Sequence, residues 1–349
     1  MAFDSVRAIS IITHNGRQIP RVATELDWAD RLGSWKVRWA IGRMKYSVEP
    51  GLYGVGEPTA ETPVFVTANY KMSFDRLRSG LTGRDGWILV LDTKGINVWC
   101  AAGKGTFGTE ELVSRIENVG LGEIVAHKKL IVPQLGATGV SAHVVKQQSG
   151  FQVLYGPVRA KDLPAFLDGG MKATEQMRRV DFPLADRIVL IPVELIGWGK
   201  HVLCAAACFL VLAGLSREGY SGKLVASDGI RSVLILLASY LAAGMLGPAL
   251  LPWLPGRAFS AKGMWIGLAI SIILGLQSRG LWNSWNDRLD ILAWFLMIPA
   301  LTSFVVMNFT GASTYTSLSG VKREMRIAVP AQIICAVAGT GLWLAGRFV

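Results

Sequence analysis

Cysteine is scarce in this chain. Four are spread over 349 residues, and Cys100 is the only one before position 200. A lone thiol cannot build a disulfide framework, and no CxxC pair exists to make a zinc site or a thioredoxin-type redox couple. Acidic residues thin out along the chain: residues 1–198 carry 24 Lys+Arg and 20 Asp+Glu, residues 199–349 carry 12 and 5. The surplus cations of the second part stand between apolar runs, as in loops that meet anionic headgroups. No basic patch with interleaved aromatics points to nucleic acid as a partner. The opening MAFDSVRAISIITHNGRQIP lacks a long apolar core behind a cationic stub. No cleaved signal peptide is therefore expected, and the N-terminal part is expected in the reducing cytoplasm. No repeat period suggests a solenoid.

What is abundant is apolar surface, 51% of residues, and from Ile188 onward it is gathered in runs. Five spans are expected at about 196–215, 232–254, 263–278, 289–309 and 327–346, the third short enough to need Leu281 and Trp282 or little tilt. Before them, strands at Val64–Thr67, Trp87–Leu91, Lys129–Val132 and Gln152–Tyr155 alternate with helices at about Phe74–Leu81, Thr109–Val119 and Ser141–Gln148. That alternation indicates an α/β domain with a largely parallel sheet. The expected organisation is residues 1–167 as the soluble domain, 168–190 as a polar linker and 191–349 as an all-α five-helix transmembrane domain. Lys/Arg bias between the loops is weak, so a cytoplasmic soluble domain on a multi-pass inner-membrane anchor rests partly on the missing signal peptide.

In such sheets ligands settle where strands end in loops, here TANYK, DTKGINVWCAAGKG, PQLGATG and YGPVRAKD. Asn97-Val-Trp-Cys-Ala-Ala-Gly-Lys104 follows a strand and the turn Lys94-Gly95, and suits a short helix with Asn97 as N-cap. Cys100 would lie in its first turn, where the helix dipole and Lys104 one turn on favour a thiolate. Gly103 and Gly105 leave room for a large group to approach. Cys100 can equally be a small buried hydrophobe, and a nucleophile paired with His127 or His143 stays open. Thr67, Asn69 and Tyr70 can bind a ligand or simply make a turn. Gln134-Leu135-Gly136 and Tyr155-Gly156-Pro157 have the same placement, and Arg159 can meet a phosphate or face water. Cys204 and Cys208, four apart on one helix face, read as small-residue packing.

The stretch from about Gly51 to Arg179, with VFVTANYK, ILVLDTKGINVWCAAGKG, LIVPQLGATG and VLYGPVRAKD, resembles the corrinoid-binding domain of the corrinoid iron–sulfur protein of the acetyl-CoA pathway. NVWCAAGK followed by a five-span anchor resembles the mercury-methylating corrinoid proteins. The resemblance implies a Rossmann-like domain holding a base-off cobalamin or related corrinoid, with the lower face capped by Gly95, Asn97, Val98, Trp99, Ala101, Gly103, Lys104 and Gly105. It implies Cys100 as lower axial cobalt ligand, a position that supplies no thiolate in the acetyl-CoA-pathway relatives. A soft, donating thiolate eases departure of a methyl group with its electron pair, toward an electrophile such as Hg(II). No D-x-H-x-x-G string offers a histidine ligand instead, and His14, His127, His143 and His201 read as surface or structural. The four-cysteine cluster motif of the relatives is missing, so no Fe–S cluster is expected here. A ferredoxin-like partner with two 4Fe–4S clusters is implied, with methyltetrahydrofolate or its protein carrier as methyl donor. The function implied is a corrinoid-dependent methyltransferase forming methylmercury. The alternatives are a membrane-tethered methyl carrier of one-carbon metabolism and a non-enzymatic corrinoid transport or binding protein. The hydroxyl-rich loop Asn308–Arg326 is expected to dock over the open face of the cofactor.

Overall fold

The computed structural model describes residues 6–277, 284–312 and 318–349. The chain divides into two compact units, residues 1–180 and 181–349. The first unit contains β1 (Ala8–His14), β2 (Arg17–Val22), α1 (Trp28–Arg38), β3 (Gly51–Val55), β4 (Val64–Ala68), α2 (Lys71–Gly80) and β5 (Gly86–Leu91). It continues with α3 (Val98–Lys104), α4 (Thr109–Asn118), α5 (Leu121–Ile124), β6 (Lys129–Val132), α6 (Ala142–Ser149), β7 (Gln152–Tyr155), α7 (Leu163–Asp168) and α8 (Glu175–Arg178). All four expected strands are present, and they pair in parallel in the order β5-β4-β6-β7.

Strands such as VFVTA and GWILVL are apolar without alternation because both of their faces are covered. Val64, Val66, Ala68, Trp87, Leu89 and Leu91 join Leu112 and Ile116 of α4 and Val145 of α6 in one core. The intervening Phe65, Ile88 and Val90 join Phe74 and Leu77 of α2 and Phe166 of α7 in the other. The chain leaves β4 for β5 on one side and returns to β6 on the other. The order therefore reverses at β4, the place in such sheets where loops diverge and open a crevice at the strand ends.

Three strands, β1 to β3, and four helices, α1, α5, α7 and α8, lie outside the expected set. β1 and β2 form an antiparallel hairpin across Asn15-Gly16, both at positive φ, the turn geometry that suits the strand twist. β3 is short and carries two glycines; it links β2 to β5, antiparallel to the latter, which makes the sheet mixed. α1 is tied down by charge. Lys71, Asp75 and Arg78 on α2 converge with Asp30 of α1 in a buried cluster of two carboxylates and two cations. Burial works to raise the pKa of Asp30, yet the adjoining Lys71 and Arg78 outweigh it and hold that carboxyl below its ordinary value. The segment read as a linker is ordered at its start: Met171, Ala173 and Met177 pack on the core of the first unit, and Val158 N donates to Met177 O at 2.8 Å.

Among the described residues the second unit holds five helices long and apolar enough to cross a membrane: Leu184–Leu212, Gly222–Leu250, Phe259–Gln277, Trp285–Asn308 and Ser319–Ala345. The first joins α9 (Leu184–Ile188) to α10 (Ile191–Leu212). The second runs from α11 (Gly222–Leu224) through a π turn into α12 (Ile230–Leu250). α13 (Phe259–Gln277), α14 (Trp285–Asn308) and α15 (Leu318–Ala345) follow. α13 and α14 approach closely at Gly263 and Gly267, where a Cβ would stand 2.3 Å from Thr302 O and 2.5 Å from Pro299 Cα. Cys204 and Cys208 are exposed while Ala206 between them is buried, so the packing role expected of that cysteine pair is not theirs. Leu281, Trp282 and the centre of the hydroxyl-rich loop, residues 313–317, lie outside the described residues.

Candidate functional site

Parallel pairing places the ends of β4, β5, β6 and β7 along one edge of the sheet, and the loops that follow interlock there. Asn69, just past β4, is buried and is the hub. Its Oδ1 accepts from Thr93 N at 3.1 Å, Thr93 Oγ1 at 2.8 Å and Gly95 N at 2.9 Å, and its Nδ2 donates to Asp92 Oδ1 at 3.4 Å. These bonds fix the turn after β5, in which Lys94 and Gly95 both adopt positive φ, 58° and 70°. A lysine in that region costs about 1–2 kcal/mol, which the Asn69 bonds offset. Asp92 is held below its ordinary pKa, chiefly by the hydrogen bond from the Lys94 ammonium.

The turn delivers the chain into α3. Asn97 caps it as expected, accepting from Cys100 N at 2.9 Å, and Gly105 ends it at φ +83°. Val98, Ala101 and Ala102 are buried beneath, so Trp99, Cys100, Gly103 and Lys104 form the outer side. Cys100 is unpaired and half-buried. A Cβ added at Gly103 or Gly105 would meet nothing within 4 Å. The outer side of the cap thus sets one thiol beside two glycines with open space around them, flanked by Trp99 and Lys104.

The loop after β6 is the footing of this cap. A Cβ at Gly139 would lie 2.1 Å from Phe107 O and 3.1 Å from Ala102 Cα, and one at Gly136 would lie 2.5 Å from the Phe107 ring. Only glycine lets the two loops approach this closely. Gln134 and Leu135 form a 3-10 turn with Gly136 and are half-buried. The loop after β7 is attached in turn: Gly156 N donates to Val132 O at 2.8 Å, and the Tyr155 hydroxyl donates to Val140 O at 2.6 Å. Burial raises the pKa of that hydroxyl.

Residues 39–167 match the family of the CO dehydrogenase/acetyl-CoA synthase delta subunit. Over 128 residues the chain is 33% identical to acetyl-CoA decarbonylase/synthase complex subunit gamma of Archaeoglobus fulgidus and 32% identical to that of Methanopyrus kandleri. Each alignment covers 36% of this chain and 27% of the relative. The subunit gamma of Methanocaldococcus jannaschii is 34% identical over 99 residues, covering 28% of this chain and 20% of its own. The chain thus spans about a quarter of the length of the curated relatives it matches. The matched stretch takes in β3 to β7 and all four loops at the strand ends, and leaves out the hairpin, α1 and the five apolar helices.

Not every expected residue faces this edge. Tyr70 is buried against Tyr46, rings 6.4 Å apart, with its hydroxyl donated to Met72 Sδ at 3.2 Å, and Thr67 is buried within β4. Pro157 is buried. Arg159 precedes Ala160, whose carbonyl oxygen would be 2.5 Å from a Cβ at Gly80, at the last turn of α2. Its backbone therefore lies roughly 13 Å along α2 from Lys71, the helix end beside the strand ends. Four residues that build the site escaped the sequence reading. Thr93 is fully buried between Asn69 and Ile96 O; Phe107 and Gly139 wedge the cap. Glu111 accepts from Asp92 N at 2.8 Å and pairs with Arg115. Only Gly139 carried a local signal, in the repeated glycines of QLGATG.

Among the described residues no group of three or more His, Cys, Asp and Glu is placed to hold a metal ion. A metal at Cys100 would have to bring most of its ligands with it, as a cobalt corrin does. A single soft donor beside the open positions at Gly103 and Gly105 fits that group.

Proposed function

We propose that the chain is a corrinoid-dependent methyltransferase whose Rossmann-like N-terminal domain holds a base-off cobalamin or related corrinoid, with the Cys100 thiolate as lower axial ligand. The observation that carries this is the position of Cys100: half-buried on the outer side of a capped helix, beside Gly103 and Gly105, at the reversal point of a parallel sheet. The homology of that stretch to a subunit of the acetyl-CoA decarbonylase/synthase complex supports a corrinoid and a methyl-transfer role. When bound, the corrinoid supplies a cobalt that takes up and gives away a methyl group.

The protein's part is to hold sulfur under that metal. Asn97 fixes the backbone of Cys100, Phe107 and Gly139 wedge α3 against the β6 loop, and Asn69 locks the turn that feeds it. With the corrinoid bound, a sulfur donor at Cys100 would supply electron density that favours an electrophilic methyl acceptor, Hg(II), over a nucleophilic one. On this reading the protein is a multi-pass protein of the cytoplasmic membrane, with which its five long apolar helices are compatible, and the corrinoid domain lies on the cytoplasmic side. A ferredoxin-like protein with two 4Fe–4S clusters supplies electrons, and methyltetrahydrofolate or its protein carrier supplies methyl. The names of the relatives favour a second reading, a tethered methyl carrier for one-carbon metabolism. Methylmercury formation by membranes containing the wild type or Cys100→Ala separates the two. The first reading requires loss of product in the variant with corrinoid still bound, and equal formation by both proteins rejects it.

A further inference from the structure

Beyond the soluble unit, a groove of about 890 Å³ opens between α13, α14 and α15. Its walls are mostly apolar, formed by Met264, Leu268, Phe295, Ile327, Ala328 and Ala331. Its two polar regions differ in depth. Arg257 and Arg323 stand at one end, where Ser260 N donates to Glu324 Oε1 at 2.6 Å and so ties the start of α13 to α15. Glu324 also lines this end, which leaves a net charge of +1 from the three groups. Deeper in the groove is Gln332, nine residues along α15 and hence roughly 13 Å below Arg323. Gln332 is 8% exposed; its Nε2 donates to Ser303 Oγ at 2.8 Å, and its Oε1 has no partner. Exchanging the two amide atoms would leave the nitrogen unmatched instead, so an amide group is unsatisfied either way. Helical side chains lean toward the N-terminus, which here directs Gln332 back toward the arginines.

We propose that this groove binds one anionic glycerophospholipid, its phosphate at Arg257 and Arg323, its glycerol or ester region at Gln332, and an acyl chain along the apolar wall. Apolar burial alone would accept any lipid, and the orphaned amide alone would accept a water. The cationic mouth, the deep polar contact and the apolar wall in one groove select an amphiphile with a negative head. The inference rests on reading these helices as membrane spans, which carbonate-resistant membrane association reports separately. The test is native mass spectrometry of the detergent-purified full chain with equal phosphatidylglycerol and phosphatidylcholine of matched acyl chains. The net charge of +1 at this end should give phosphatidylglycerol a preference of roughly fivefold, with one lipid retained. The Arg257→Gln/Arg323→Gln variant should lose the preference, Gln332→Leu should shed the lipid at lower collision energy, and Ala328→Phe should retain none. If the arginine variant does not fold, the other two carry the test. Equal retention of both lipids by the wild type, retention unchanged in Ala328→Phe, or displacement by inorganic phosphate alone would each overturn the proposal.

Discussion

Replacing Asn69 by alanine tests how the site is assembled. The substitution removes the acceptor of Thr93 N and Gly95 N without touching Cys100. Thr93 is fully buried, so its N–H is left without water as a substitute, at about 1–3 kcal/mol. Gly95 is half-buried and adds less. The Thr93 hydroxyl costs little, because its single proton keeps Ile96 O at 2.6 Å as an acceptor. The sum is about 2–3 kcal/mol, placed on the turn that carries Lys94 at positive φ and leads into α3. Native-state hydrogen exchange of the full chain reads this directly: the amides of Thr93 and Gly95 should exchange roughly 30- to 150-fold faster in Asn69→Ala. Asn69→Asp keeps the acceptor and should stay within several-fold of the wild type, even with Asp92 close by, because Lys94 lies on that carboxylate. Exchange at both amides within about threefold of wild type in Asn69→Ala would show that Asn69 does not hold the turn.

Two further outcomes follow from the packing. Gly139→Ala forces a methyl onto the Phe107 carbonyl and the Ala102 backbone, neither of which can rotate away. It should cost about 1–3 kcal/mol in denaturant unfolding and lower the corrinoid retained per protein, whereas alanine at the open Gly103 should change stability far less. Asp30→Asn uncovers buried charge on Lys71 and Arg78 and should cost about 3 kcal/mol at pH 7, measured by thermal unfolding. Because the Asp30 pKa is lowered in the folded protein, its contribution is complete above the unfolded value and fades as pH falls through the folded one. The wild type should therefore begin to lose its advantage over Asp30→Asn as the pH falls below about 4, and lose it fully only below the depressed folded value.

The parallel half of the sheet was legible because its strands are apolar on both faces and end in glycine-rich or polar loops. The N-cap at Asn97 and the outward set of Cys100, Gly103 and Lys104 were legible from spacing along a single helix. The hairpin was legible too, in Asn15-Gly16 between alternating strands. What could not be read was non-local. Nothing adjacent to Asp30 announces that Lys71 and Arg78 will meet it, although the 71, 75, 78 spacing puts three charges on one face of α2. Asn69 reads as an ordinary turn residue until the β5 loop is placed on it. Tyr70 and Arg159 follow strands, but strand ends only set where loops begin. Packing draws the tyrosine into an aromatic core and carries the backbone of Arg159 along α2. Cys204 and Cys208 could be placed on one helix face, but not which face that would be.

The central claim is that sulfur from Cys100 is bonded to cobalt. Cobalt-edge X-ray absorption of the purified holoprotein, beside Cys100→Ala and Cys100→His at equal corrinoid loading, measures that bond. The account requires a sulfur neighbour in the wild type, its disappearance in the alanine variant and a nitrogen neighbour in the histidine variant. Indistinguishable first-shell spectra from all three proteins would contradict it.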